Sequence, residues 1–275
     1  MKIDEVEFRI IEVPYRSPFR TSFGEEDTKH CIIATVRSEG AEGYGESVMD
    51  LLPAYREESL VGAHNLLLQA FGPDLLQHGC EHPSELGARW AKWRGNPMAK
   101  TTLELAVWDC YARQQGVPLR TLLGGDRTEI PVGASLGIGV PAATVENVRR
   151  HVEQGYKRVK LKIEPGWDID QLEAVRAEFP HIELTVDANS AYTLDMIDVL
   201  RACDDFELHY IEQPLHWDDM VEHARLASML ATPICLDETL TSPARVRAAL
   251  DLKACTVVNV KVARDRKSTR LNSSH

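Results

Sequence analysis

The sequence predicts an α/β barrel of the (β/α)7β type, incomplete with about six strands present, behind an N-terminal α+β capping domain. Two observations predict the barrel. Short apolar runs ending in a charged residue recur at a near-constant interval: Lys162, Asp187, Glu212 and Asp237 follow one another at 25 residues, and Lys261 comes 24 later. A helix-length amphipathic segment separates each run from the next, the alternation of repeated βα units around a parallel sheet. A third observation predicts the cap: residues 1–124 lack this period and read as a few strands followed by helices.

In chain order, KIDEVEFRIIEVP and HCIIATVRS cluster β-branched residues as strands do, and GAEGYGESV carries the glycines of a turn entering another strand. Between the first two lies SPFRTSFGEED, Ser17 to Asp27, too polar for a core and without a strand period. It is expected to be a flap over a site or a surface hairpin. From Tyr55 the pattern turns helical through REESLVGAHNLLLQAF and SELGARWAKWRG. PMAKTTLELAVWDCYARQQG follows, with Pro97 in a first turn and Gly116 at a C-cap. Leu103, Val107 and Cys110 recur there at helical spacing, which assigns Trp108 and Tyr111 to packing.

The domain boundary falls near Gly124 and Gly125, giving spans of 1–124 and 125–264. Beyond it IPVGASLGIG, RVKLKI, IELTVDAN, LHYIEQP, PICLDET and ACTVVNVKVA read as six strands. PAATVENVRRHVEQG, DIDQLEAVRAEF, TLDMIDVLRAC, WDDMVEHARLASML and SPARVRAAL read as the helices between them. Closing such a barrel takes about eight strands, so the native chain is expected to continue past Arg264. The last eleven residues, Asp265 to His275, break the strand pattern and resemble the in-frame translation of a sequencing adapter. They are read as an artefactual tail and set aside from fold reasoning.

Composition excludes several classes. A formal net charge of −11 argues against nucleic acid, whose phosphates need a positive face. No run of about 18 apolar residues offers a membrane span, and the N-terminus has no signal-peptide core. The six cysteines stand singly, without a CxxC, as reduced buried thiols of a cytoplasmic protein do. No GxGxxG opens a helix after a strand and no Walker A loop is present, so dinucleotide and P-loop readings have no motif behind them.

The charged ladder carries the chemistry. A parallel sheet buries both faces, so a charge at the same place in five successive units is costly unless a common task requires it. In a barrel the C-terminal strand ends form the active site, which is where Lys162, Asp187, Glu212, Asp237 and Lys261 fall. Three carboxylates from adjacent strands suit a hard octahedral cation, Mg²⁺ or Mn²⁺, whereas zinc brings histidine or cysteine. Asn189 and Glu238, two and one residues beyond two of these acids, are candidates to orient the ligands. Lys160 and Lys162 alternate with Leu161 and so share a face. A second cation and a metal beside it would depress the pKa of Lys162 towards neutrality and make it a general base. Lys261 is expected across the mouth, so that the pair could remove a proton from a carbon acid on one face and return it, or stabilise charge, on the other.

The motifs KLK at Lys160 to Lys162, VDAN at Asp187, IEQP at Glu212, LDET at Asp237 and NVKVAR at Lys261 resemble those of the enolase superfamily, in its muconate-lactonising subgroup. The flap, the LELAVWD helix, GASLGIG and NVKVAR are most similar to the branch that holds o-succinylbenzoate synthases and N-succinylamino acid racemases. That resemblance covers Met1 to Arg264. It implies Mg²⁺-dependent abstraction of a proton α to a carboxylate through an enediolate, for dehydration in menaquinone synthesis, for racemisation of an N-acylamino acid, or for both. Dipeptide epimerisation and muconate cycloisomerisation are the alternatives within the subgroup. It further implies Asp187, Glu212 and Asp237 as metal ligands, Lys162 and Lys261 as catalytic with Lys160 beside them, and Arg264 as tuning Lys261. Phe19, Phe23 and Ser135 become candidate substrate contacts. The implied partners are a small carboxylate substrate and further copies of the chain in a homo-oligomer.

Two readings of other kinds stand against this one. A Schiff-base aldolase would use Lys261 but has no use for three metal-spaced acids. An inactive, truncated product would expose open barrel edges and aggregate.

Overall fold

The β-branched run of the N-terminus forms two long strands, β1 (Glu5–Thr21) and β2 (Gly24–Ser38), followed by β3 (Ala41–Glu46) in a three-stranded sheet of order β1-β2-β3. The computed structural model describes residues 1–265, so the tail from 266 onward lies outside the described residues. Of the two expectations for Ser17 to Asp27, a flap or a surface hairpin, the strands show the hairpin. The segment is its end, with only Ser22 and Phe23 outside the strands. Its polar side chains hid the strand because little of this ribbon faces a core; residues 10–18 are all exposed.

Helices follow: α1 (Leu60–Leu66) runs through a π-turn at Leu67–Phe71 into α2 (Gly72–His78), and α3 (Glu85–Arg89) precedes α4 (Pro97–Gln114) and the short α5 (Leu119–Leu122). Two glycines read as turn residues have another task. Gly43 and Gly45 lie within β3 where it presses on α4, and a Cβ there would meet Cys110 N at 2.1 Å and Thr102 O at 2.1 Å. Only a residue without a side chain permits that approach. Trp108 is buried, edge-on to His82 at 5.1 Å, in keeping with a packing role.

Six parallel strands form a second sheet in chain order: β4 (Ala134–Leu136), β5 (Arg158–Lys162), β6 (Glu183–Asp187), β7 (Ile211–Glu212), β8 (Ile234–Leu236) and β9 (Val257–Val258). Between them lie α6 (Pro141–Glu153), α7 (Ile169–Glu178), α8 (Ile197–Ala202), α9 (Met220–Ala227) and α10 (Pro243–Asp251). Alternation sorts each strand's side chains. Val159, Leu161, Leu184, Val186, Ile211, Ile234 and Leu236 join a core with Val148, Leu172, Val175 and Leu226 of the helices. Burying each such side chain contributes about 1.5–3 kcal/mol, which fixes the register and leaves Lys160, Thr185, Glu212 and Cys235 on a cavity of about 240 Å³. The last strand is shorter than the sequence predicts: it stops at Val258, and a helical turn, α11 (Val262–Asp265), begins just after Lys261.

The chain forms two compact units. One comprises Met1–Pro14, Thr28–Glu129 and the segment from Lys261; the other comprises Tyr15–Asp27 and Ile130–Val260. The division departs from a cut near Gly124 by placing the hairpin end with the parallel sheet and Lys261 with the N-terminal unit. No helix among the described residues is long and apolar enough to cross a membrane. All six cysteines are buried and free.

His223 supplies a stability prediction. Its buried Nδ1 donates to the Asp219 carbonyl while Nε2 accepts the Leu215 N–H at 3.2 Å, and burial lowers its pKa. Because the folded value lies below the unfolded one, the unfolded chain takes up the proton first. Stability is therefore full above about pH 6.5 and falls as the pH drops towards the folded pKa. Urea midpoints at pH 7.5 and 5.5 should differ more for the parent than for His223→Gln; equal acid losses would show that His223 is not responsible.

Candidate active site

Parallel register is what gathers the ladder. Lys162 pairs with Asp187, Asp187 with Glu212, and Glu212 with Cys235, so the charged ends of β5, β6 and β7 stand side by side. Asp237 and Glu238 follow immediately on β8, and all four carboxylates are buried. Neighbouring strands lie about 4.8 Å apart, which puts these groups within mutual reach.

The Lys160 ammonium bridges two of the acids, 2.9 Å from Asp187 Oδ2 and 3.2 Å from both oxygens of Glu212. Lys162 Nζ donates to Asp187 Oδ2 at 2.7 Å and to Asn189 Oδ1 at 2.5 Å. The Asn189 amide in turn donates to Glu238 Oε1 at 2.8 Å. Asn189 thus joins Lys162 to Glu238. It does so from a left-handed backbone, φ 43°, that asparagine tolerates better than most residues.

The electrostatics follow from burial and from the excess of acids. Burial alone would lower the Lys160 pKa, but the charges of Asp187 and Glu212 outweigh it and hold that ammonium protonated. Burial likewise opposes ionisation of Asp187, and the two lysines overcome it, keeping its pKa below the ordinary value. Glu212 goes the other way, raised by burial and by Asp187. The Glu238 carboxyl is pushed up to about 7 by burial, Asp237 and Asp187.

Four carboxylates against two ammoniums leave a formal charge of −2 in a buried place, the deficit that one divalent cation fills. Asp187, Glu212 and Asp237 provide the hard oxygen donors such an ion takes. As the side chains stand, no three Asp, Glu, His or Cys among the described residues converge closely enough to hold an ion. The Lys160 ammonium lies between Asp187 and Glu212 instead. Donor chemistry and charge fit such a cation.

Two supporting residues escaped the sequence reading. Gln213 Oε1 accepts the N–H groups of Asp237 and Thr239 at 3.1 and 3.2 Å, and its amide donates to Thr239 Oγ1 at 2.7 Å, bolting the end of β7 to that of β8. Asn259 donates to Glu212 Oε1 at 2.8 Å. Both lie one or two residues from a charged member of the ladder, and that proximity was the available signal. Ser135 is in register with Lys160 and lines the cavity. Phe19 packs at Gly137, where a Cβ would lie 3.5 Å from its ring, while Phe23 is exposed. Lys261 and Arg264 fall in the N-terminal unit, where both donate to the Tyr55 hydroxyl, at 2.7 and 2.9 Å, and Arg264 is buried. Lys261 therefore does not continue the β9 strand as its motif suggested; the turn of α11 redirects the chain at that point.

Comparison with known proteins gives the family. Residues 5–124 match the N-terminal domain of the mandelate racemase/muconate lactonizing enzyme family, and residues 143–266 match the enolase C-terminal domain-like family. The chain is 48% identical over 265 residues to an N-succinylamino acid racemase of Thermus thermophilus, covering 96% of this chain and 72% of that protein. It is 46% identical over 269 residues to an o-succinylbenzoate synthase of Geobacillus kaustophilus, covering 96% and 71% respectively. A solved enolase-superfamily member from Listeria innocua superposes with a TM-score of 0.90 at 38% identity, over 96% of this chain and 72% of that one. With both domains matched and this identity, the chain belongs to the mandelate racemase/muconate lactonizing enzyme family of the enolase superfamily.

Proposed function

We propose that this protein abstracts a proton α to a carboxylate, as an o-succinylbenzoate synthase, an N-succinylamino acid racemase, or both, with Mg²⁺ or Mn²⁺ as cofactor. The observation that carries the reading is the buried, in-phase set of Lys162, Asp187, Glu212 and Asp237 on consecutive parallel strands. The names of the relatives from Thermus thermophilus and Geobacillus kaustophilus support the choice of reactions.

Asp187, Glu212 and Asp237 would hold the cation, and Asn189 and Gln213 keep the strand ends that bear them in place. The ion supplies positive charge beside the substrate carboxylate, which lowers the cost of the enediolate. Lys162 takes the α-proton. In the dehydration it then gives that proton to the departing β-hydroxyl, so that water leaves and a carbon–carbon double bond forms. In racemisation the opposite face of the carbon must receive a proton, and Lys261 is proposed for that role from its place in the charged ladder.

Lys261→Arg separates the reactions. A cation survives, but a guanidinium does not exchange protons near neutral pH. Dehydration should keep a measurable fraction of the parental rate, while racemisation, followed by polarimetry and by α-proton exchange in D₂O, should disappear. Equal loss of both would mean that Lys261 does not divide the roles in this way. A chelator should abolish both activities and added Mg²⁺ restore them, whereas borohydride should trap no substrate on Lys261, the reverse of an imine-forming aldolase.

A further inference from the structure

Three successive strands of the parallel sheet send their following loops to the same hairpin end. After β4, the Ile138 N–H donates to the Arg20 carbonyl at 3.0 Å, and Gly137 lies so close that a Cβ would meet that oxygen at 2.9 Å. After β6, Ser22 Oγ donates to the carbonyls of Ala188 and Asn189, each at 3.2 Å. After β5, the contact is made by side chains alone: Arg20 Nη2 donates to Glu164 Oε1 at 2.6 Å, and the guanidinium lies over the Trp167 ring, 4.7 Å from its centroid. The contact after β4 is backbone to backbone, and the contact after β6 uses one small hydroxyl. The Arg20, Glu164 and Trp167 triplet depends on particular side chains.

We propose that Arg20, Glu164 and Trp167 form a latch that holds the hairpin end down over the strand ends and so sets how tightly substrate is retained. The geometry gives the latch a route to the chemistry. Ser22 bonds the backbone of Asn189, whose side chain accepts from Lys162 at 2.5 Å, so a seated hairpin steadies the residue that orients the base. Arg20 and Glu164 are positioning residues, since neither touches the carboxylates or Lys162. An ion pair this exposed contributes modestly, and a guanidinium stacked on indole adds to it. The latch is therefore weak enough to open at each turnover, which a tight buried pair would not be. Lids of this kind exclude water and commit substrate.

The substrate part of the test rests on the proposed function; the structural part does not. Glu164→Gln keeps the shape and removes the charge. The reversed pair Arg20→Glu with Glu164→Arg restores opposite charges. Chymotryptic cleavage at Phe19 and Phe23 reports hairpin opening without any need for activity. Glu164→Gln should be cut several-fold faster than the parent and show a KM raised about two- to tenfold with kcat within twofold, because seating acts on substrate retention. The reversed pair should recover both cleavage rate and KM. Cleavage of Glu164→Gln at the parental rate would overturn the latch, as would a reversed pair no better than the single variant. Faster cleavage with an unchanged KM would overturn its role in the reaction. If neither dehydration nor racemisation is detected in any variant, the proposed function fails, and the cleavage rates still decide whether the latch exists.

Discussion

Lys162→Ala should lower turnover of both reactions by about 10³- to 10⁴-fold, the upper range for removal of a general acid or base. The structure supports so large a value because no other amine can substitute within the same contacts. Lys160 is tied to Asp187 and Glu212, and the charges of those acids keep it protonated. The loss should appear in kcat and kcat/KM together, since the proton moves only in the transition state. Lys162→Arg should be equally inactive while restoring the positive charge to Asp187, which separates loss of the base from loss of an ion pair. Lys162→Ala should also lower the unfolding midpoint, because it takes one partner from a buried ion pair, and Lys162→Arg should recover part of that loss. A Lys162→Ala enzyme with normal turnover would sink the mechanism.

The second large effect concerns stability. Asp187 receives both Lys160 and Lys162 and is buried. Asp187→Ala leaves two ammoniums in a low-dielectric site with fewer counter-charges, and removing one partner of a buried network costs about 3–5 kcal/mol. In chelator-treated protein the denaturant midpoint should fall accordingly. The same variant should lose the stabilisation that Mg²⁺ confers on the parent, since an ion that binds the folded state raises the midpoint in proportion to the logarithm of its concentration. A variant that Mg²⁺ stabilises as strongly as it does the parent would remove Asp187 from the ligand set. Loss of only a few tenths of a kcal/mol without metal would mean that Lys160 and Lys162 are already satisfied by Glu212 and Asn189.

Much of this was legible in the chain because a parallel sheet repeats. Strands buried on both faces leave apolar runs, helices packed outside leave amphipathic ones, and the alternation appears as a period. The site was legible for the same reason: a carboxylate or ammonium at one register position of several such runs has few uses other than a shared site. The hairpin end was less legible. Its residues are polar and mostly exposed, so neither period nor composition distinguishes a strand from a loop there, and only pairing with a neighbouring strand makes it one.

The sequence by itself determined the class of fold, the order of strands and helices, and the residues that carry charge to the ends of the strands. All of these are local, set by side-chain alternation and spacing within about 25 residues. The tertiary structure decided what those charges touch. That Lys160 rather than Lys162 bridges Asp187 and Glu212, that Gln213 locks the Asp237 backbone, that Arg20 finds Glu164 across 144 residues, and that Lys261 turns to Tyr55 are contacts between segments distant in the chain. No local pattern encodes such contacts, because they depend on register, on close approach and on which group is left to satisfy a buried charge.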